Sequence, residues 1–313
     1  KHPEIVRYGY RTFDRQFVFR DTRVGDRSRP PLWRSHSERQ IFLASQLTKP
    51  LGSGTAISSS GDVPDIDFFC NRGGKDIMPL YRDAAATEPN VTHGLLDLLG
   101  RCYSEQVTPE DMIGYIVGVL GHPGYTERFQ DELEVPGPRV PLTKDAALFH
   151  RAVDLGKLVI AWQTYAERFP EVIGTTKGRV PQGAAQPTRD IPDAPERYPQ
   201  NLRSDVRYDE KTRQLHVVEG VFADVDPRVW EYEVSGLRVV RSWLGYRMKE
   251  RAGRKSSPLD DIRLERWPWE MTRELQDLLW ALEGVIALEP AQKALLDEIV
   301  AGELFLADEL PKP

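Results

Sequence analysis

Residues 108–123 read TPEDMIGYIVGVLGHP, and this stretch sets the helical half of the fold. Thr108 can cap the first backbone N–H groups with its side-chain oxygen. Pro109 suits the first helical position, where its missing N–H costs nothing, and Glu110 and Asp111 lie at the positive end of the helix dipole. Ile113, Ile116, Val117 and Leu120 then recur at helical spacing until Gly121-His122-Pro123 stops the run, with His122 read as a helix-end cap. Beyond it the pattern predicts a second helix over about 124–133. Pro136, Pro138 and Pro141 then force an extended strap. A long helix is expected from Lys144 to Arg168, presenting Leu148, Ala152, Leu155, Val159 and Trp162 as a core stripe rather than a cofactor box.

Outward from this block the signals change period. Phe13 to Phe19 alternates apolar and polar residues, as a half-buried strand does. Residues 50–62 (PLGSGTAISSSGD) read as a mobile loop, and 67–81 (DFFCNRGGKDIMPLY) as two short strands around a polar tip at Gly73-Gly74. Six prolines within 170–202 predict an irregular connector. Val206–Tyr208 and Leu215–Val218 form a hairpin pattern, and Trp230–Val234 is a further strand candidate. The segment 236–256 is expected to start as a helix with Val239, Val240, Trp243 and Leu244 facing inward, and two more helices are expected at about 270–284 and 290–301. The class is α+β: a mixed β body, a packed helical sub-region and a C-terminal helical pair. The expected boundaries are 1–90 and 203–260 for the β-rich body, 91–169 for the helical region, 170–202 for the connector and 261–313 for the C-terminal helices.

The chain has 313 residues with 42 Lys/Arg against 48 Asp/Glu, a net charge of −6. Residues 236–256, GLRVVRSWLGYRMKERAGRKS, hold seven Lys/Arg against the single Glu250. Such a patch on an acidic chain points either to a polyanionic partner, through counterion release, or to a solvated helix face. Residues 1–40 are also basic, ten Lys/Arg against five Asp/Glu. No apolar run approaches the ~20 residues that span a bilayer, so no membrane partner is expected. Cys70 and Cys102 form no disulfide framework, which fits a reducing cytoplasm. The chain opens on Lys1 rather than Met, as expected of a piece of a longer polypeptide.

Catalytic constellations are not found. The only Pro-Pro, Pro30-Pro31, lies between Arg29 and Leu32 and does not match a methylase target-amine loop. Gly52-Ser53-Gly54 lacks the flanking strand and third glycine of a nucleotide turn. Pro64-Asp65 and Asp209-Glu210-Lys211 are too far apart to be read as a nuclease site, and the six histidines form no metal or triad spacing, so no metal is expected. This points to a recognition module; an enzyme with an unfamiliar site is a competing reading.

Several blocks, taken in order, carry a resemblance. Tyr10-Arg11-Thr12-Phe13-Asp14-Arg15 resembles a Tyr-Arg-Pro-Phe-Asp-Arg motif, with Thr12 in place of proline. Arg29-Pro30-Pro31-Leu32-Trp33 with His36, Arg39 and Gln40, then Met78-Pro79-Leu80-Tyr81, resemble the blocks that follow it. Tyr115 through Phe129, the strap Pro138–Leu142, and Gly236 to Arg247 complete the series. Together they resemble the C-terminal target-recognition domain of type ISP restriction–modification enzymes and related adenine-N6 DNA methyltransferases. The resemblance implies a module that grips double-stranded DNA and directs a methyltransferase domain lying N-terminally on the same parent chain. That domain, not this chain, would hold S-adenosylmethionine; no cofactor is expected here.

The residues then take roles. Arg238, Arg241, Arg247, Lys249, Arg251, Arg254 and Lys255 are phosphate candidates, joined by Arg29, Arg34 and Arg39. Asn71, Arg72, Lys75 and Asp76 are candidates for base reading, since Arg can take guanine and Asn adenine bidentately; a plain polar turn is the alternative. Trp33 is either core or a stacking platform. Arg11, Asp14 and Arg15 are expected to dock the domain against the methyltransferase. The competing reading of the whole chain is a protein-interaction or assembly module without direct DNA reading.

Overall fold

The computed structural model describes residues 4–21, 29–69, 76–250 and 264–312. The chain forms two compact units. One comprises Lys1–Arg179, Glu233–Leu237 and Ala287–Pro313; the other comprises Val180–Tyr232 and Arg238–Ile286. The class is α+β, with small antiparallel sheets and a helical block.

The first unit begins with a ribbon of β1 (Ile5–Arg11) and β2 (Asp14–Phe19), turned at Thr12-Phe13. The predicted strand exists, but Phe17 and Phe19 are exposed because a two-stranded ribbon has no second layer to bury both faces. A short helix α1 (Pro30–Ser35) follows. β3 (Phe42–Ser45) is fully buried and pairs with β4 (Ser58–Ser60) on one side and β5 (Asp76–Pro79) on the other. The loop expected over 50–62 is therefore partly core. Ala56 and Ile57 are buried, and the Ser59 N–H and hydroxyl both donate to Gln163 Oε1 at 2.7 and 2.6 Å. Serines read as loop because burying a hydroxyl is costly; here the partners cancel that cost. The hairpin expected over 67–81 does not form among the described residues: β5 takes β3 as its partner.

The helical block comprises α2 (Leu95–Tyr103), α3 (Pro109–Leu120), α4 (Pro123–Arg128) and α5 (Ala146–Gln163). Thr108 and Asp111 form the reciprocal cap that starts α3, and Lys157 donates to Asp111 at 2.7 Å. Asp145 starts α5. The buried face of α5 is Phe149, Ala152, Val153, Gly156, Val159, Ile160 and Gln163, rotated by about one position from the expected stripe. The rotation comes from backbone contact between α3 and α5. A Cβ on Gly156 would stand 1.7 Å from the Gly114 carbonyl oxygen, and one on Gly118 would stand 2.1 Å from that of Ala152. Only glycine allows helices this close, and the approach brings the neighbouring residues inward.

The proline strap is fastened by tyrosines. Tyr115 Oη donates to the Pro141 carbonyl at 2.5 Å and accepts from Thr143 N at 3.1 Å. Tyr125 Oη bridges the Arg139 carbonyl and N–H in the same way, at 2.7 and 2.9 Å. Extended, proline-rich backbone cannot satisfy itself, so side chains do it.

In the second unit β6 (Gln186–Arg189), β7 (Val206–Asp209), β8 (Gln214–Val217) and β9 (Gly220–Ala223) form an antiparallel sheet in the order β6-β9-β8-β7. The hairpin expected at 206–218 is present. The connector contributes an edge strand, where Pro187 is tolerated. Helical turns α6 (Leu202–Asp205) and α7 (Pro227–Trp230) flank the sheet, and α8 (Val239–Arg247) buries Val239, Val240, Trp243 and Leu244 as its pattern predicts.

The expected C-terminal helical pair is one continuous helix, α9 (Trp269–Ala301), with Pro290 inside it. A proline costs a helix interior ~3 kcal/mol. Buried Leu275, Leu278, Leu279, Leu282, Val285 and Ile286 precede it, and buried Leu295, Leu296 and Ile299 follow. At ~1.5–3 kcal/mol for each buried apolar side chain, burial outweighs the break. In the first unit the last part of α9 sends Gln292 Nε2 to the Gly118 carbonyl at 3.0 Å.

Candidate nucleic-acid interface

The hexapeptide Tyr10–Arg15 is the turn of the β1–β2 ribbon, and Phe13 adopts a left-handed φ of 61°. Tyr165 Oη holds the Phe13 carbonyl at 2.7 Å, and the Arg15 guanidinium lies over the Tyr165 ring at 3.9 Å. Arg11 donates to the Tyr10 carbonyl at 2.8 Å and to Asp65 at 3.3 Å, while Asp14 is buried. Thr12 uses its N–H and hydroxyl on the Phe68 carbonyl, at 2.8 and 3.0 Å. A proline at that position could not supply the N–H, so the departure from the motif changes bonding as well as stiffness.

The second basic group is divided in its engagements. Arg39 reaches Glu110 at 2.9 Å and Tyr81 Oη at 3.2 Å, and Tyr81 itself donates to Glu110 at 2.6 Å. Burial, then the Glu110 carboxylate, push the Tyr81 phenol well above its ordinary range. Arg29 precedes α1 with φ 44°, and burial lowers its pKa; Arg34 is exposed on α1. Trp33 is half-buried, edge-on to His36 at 5.9 Å with Arg20 5.8 Å above its ring, so it is neither core nor an open platform.

In the basic segment the helix forms, but carboxylates already hold most of its described cations. Arg238 and Arg241 converge on Glu231, at 2.9 and 2.5 Å, and Arg241 stacks over Trp230 at 4.7 Å. Arg247 turns inward: its guanidinium lies 3.5 Å from the Trp243 ring centroid, donates to the Trp243 carbonyl at 3.0 Å and approaches Glu274 at 3.6 Å. Its side chain is only 10% exposed, so a phosphate could reach it only by displacing this packing. Lys249 is exposed, and its N–H donates to the Pro199 carbonyl at 3.0 Å. Asp76 opens β5 and accepts from Leu47 N at 3.3 Å. Asn71, Arg72, Lys75, Arg251, Arg254 and Lys255 lie outside the described residues.

The sequence reading overlooked Arg168. Nearly buried, it donates to the carbonyls of Gln40, Ser37, Gly61 and Glu167 at 2.8–3.0 Å and joins the chain segments beside β3 and β4. Its burial lowers its pKa. It also overlooked Arg189 and Arg207 on the outer face of the second unit's sheet. The alternation of the hairpin could have placed Arg207 outward, but Arg189 was hidden in a proline-rich connector. Gly121 closes α3 where the sequence suggested His122; His122 is instead the N-cap residue of α4, makes no side-chain cap hydrogen bond, and has its ring fully buried.

Gly52 and Gly54 pack against the backbone of residues 233–236. A Cβ on Gly54 would stand 2.2 Å from the Glu233 carbonyl oxygen, so close backbone packing requires glycine there. Among the described residues no cluster of His, Cys, Asp or Glu could hold a metal, and no helix is long and apolar enough to cross a membrane.

The family model of the Type ISP C-terminal specificity domain matches residues 1–278. The chain belongs to this family. Its fold is shared with the cryo-EM structure of a DrdV–DNA complex, with TM-score 0.67 and 18% identity over 96% of this chain and 29% of that one. A nuclease-deletion mutant of the Type ISP restriction–modification enzyme LlaGI, in complex with a DNA substrate mimic, matches with TM-score 0.59 and 17% identity, over 95% of this chain and 21% of that one. The ATP-dependent Type ISP enzyme LlaBIII bound to DNA matches with TM-score 0.60 and 16% identity, over 98% of this chain and 19% of that one. The specificity domain thus spans less than a third of the length of these enzymes. No curated protein matches it.

Proposed function

We propose that this specificity domain recognises a sequence in double-stranded DNA and presents one adenine to an adenine-N6 methyltransferase domain carried N-terminally on the same parent chain. The parent serves restriction–modification or phage defence in the cytoplasm. The observation that carries this reading is the family match over residues 1–278. Phosphate contacts position such a domain and base contacts specify its target. Arg34 and Lys249 are exposed and pair with no carboxylate among the described residues, so they are the described phosphate candidates best placed to act; Arg251, Arg254 and Lys255 extend the basic run that holds Lys249. Asn71, Arg72, Lys75 and Asp76 are the proposed base readers, and Arg11, Asp14 and Arg15 the proposed docking element. We assign S-adenosylmethionine to the methyltransferase domain of the parent chain, as the family reading implies.

One observation favours the assembly-module reading: Glu231 and Glu274 already neutralise Arg238, Arg241 and Arg247. Methylation mapping in cells carrying the parent protein separates the two. Arg72→Ala is expected to change the methylated motif, and Arg251→Ala to lower methylation without changing it. An unchanged motif in Arg72→Ala removes that residue from the reader. Binding to a protein partner that is insensitive to salt, with no duplex binding, favours assembly.

A further inference from the structure

The sheet of the second unit has an outer face whose chemistry the basic helix does not share. Across it, Arg207 on β7 opposes His216 on β8, His216 opposes Val221 on β9, and, past a bulge between Pro187 and Arg189, Val221 opposes Arg189 on edge strand β6. Directly opposed residues share a face. Arg189 and Arg207 are exposed, His216 and Val221 half-exposed, while the alternate positions Leu215, Val217 and Phe222 are buried. With strands ~4.8 Å apart, the two arginine backbones stand roughly 14 Å apart.

Two features set this row apart. Arg238, Arg241 and Arg247 would have to break existing ion pairs to meet a phosphate, whereas neither Arg189 nor Arg207 lies in a salt bridge among the described residues. The nearby acid, Asp209, turns its carboxylate into its own turn, accepting from Lys211 N at 3.0 Å and Thr212 N at 3.3 Å. The two guanidinium groups also flank His216, whose charged form is disfavoured first by burial and then by Arg207 and Arg189, against the opposing pull of Asp209. The row therefore carries two arginine charges around a neutral imidazole, and an anion over it would balance them.

Resting on the proposed DNA function, we infer that the outer face of the β6–β9 sheet is a phosphate-holding surface, with Arg189 and Arg207 gripping the backbone of the duplex. These residues position the DNA and read no base, so their loss weakens binding on every sequence.

The test is duplex binding by the 313-residue chain, measured by fluorescence anisotropy on a short mixed-sequence duplex. Each lost phosphate contact lowers the salt slope by ~0.9, so Arg189→Ala with Arg207→Ala should lower it by about two. Raising salt from about 50 to about 200 mM should then weaken the unsubstituted chain about tenfold more than the double variant. Arg189→Lys with Arg207→Lys should keep the slope. Arg128→Ala with Arg151→Ala removes the same charge from the first unit and should leave it unchanged. If the unsubstituted chain binds and the alanine pair keeps its slope, the inference is overturned and the DNA reading stands. An equal fall in slope for Arg128→Ala with Arg151→Ala also overturns it, as an effect of net charge. If the unsubstituted chain binds no duplex at low salt, both readings fail.

Discussion

Acid should unfold this domain earlier than its carboxylates alone would require, and His122 is the reason. The ring is fully buried, and among the described residues neither nitrogen makes a hydrogen bond of good geometry. Burial pushes the pKa down to about 4; the Val119 carbonyl and the acids Glu127 and Asp297 act the other way, and Lys293 adds to the effect of burial. In the unfolded chain the ring returns to ~6.5. Between those values the unfolded state binds the extra proton, so stability is complete above the unfolded pKa and falls as pH drops towards the folded one. At ~1.4 kcal/mol per pH unit, His122 alone removes about 2 kcal/mol between pH 7 and pH 5, and about 3 in all once pH is below 4. Asp111 and Asp226, whose native carboxyls are held below their ordinary pKa, lose their contributions mainly at lower pH, whereas His36 and His216, also lowered by burial, act in the same window, so the comparison with a His122 variant is what isolates this ring. Urea unfolding at pH 7 and pH 5 measures the loss. His122→Gln is expected to lower stability at pH 7 while shrinking the difference between the two pH values by about 2 kcal/mol. An undiminished difference would refute the reasoning.

Two further predictions concern the helical block and its neighbours. Gly156→Ala should destabilise by at least about 2 kcal/mol in denaturant unfolding despite the better helix propensity of alanine, because its methyl meets the Gly114 backbone rather than a movable side chain; a neutral or stabilising result would show that the helices separate easily. Arg168→Met should cost about 3 kcal/mol or more by the same measurement, since it strands buried carbonyls of Gln40 and Gly61, and Arg168→Lys should recover only part, having no planar fork to serve several acceptors. Full rescue by lysine would mean that charge rather than geometry holds the site.

What could be read from residues alone was local. The cap Thr108–Asp111 and the buried face of α8 follow from backbone orphan groups and helical periodicity within one element. The 206–218 hairpin follows from period-two alternation. The ordered motif blocks carried the family, because a series of short matches in fixed order needs no coordinates. Tertiary structure decided the rest wherever a residue's fate depends on a distant partner. Ser58–Ser60 became a core strand through Gln163. Pro290 stayed inside α9 because burial on both sides outweighed its broken bond, and the contact between α3 and α5 at Gly114, Gly118 and Gly156 rotated the buried face of α5. Charge followed the same rule. A count of lysines and arginines locates positive sequence, but only the positions of Glu231 and Glu274 show that the arginines of α8 are engaged, while Arg189 and Arg207, far apart in sequence, come to share one open face.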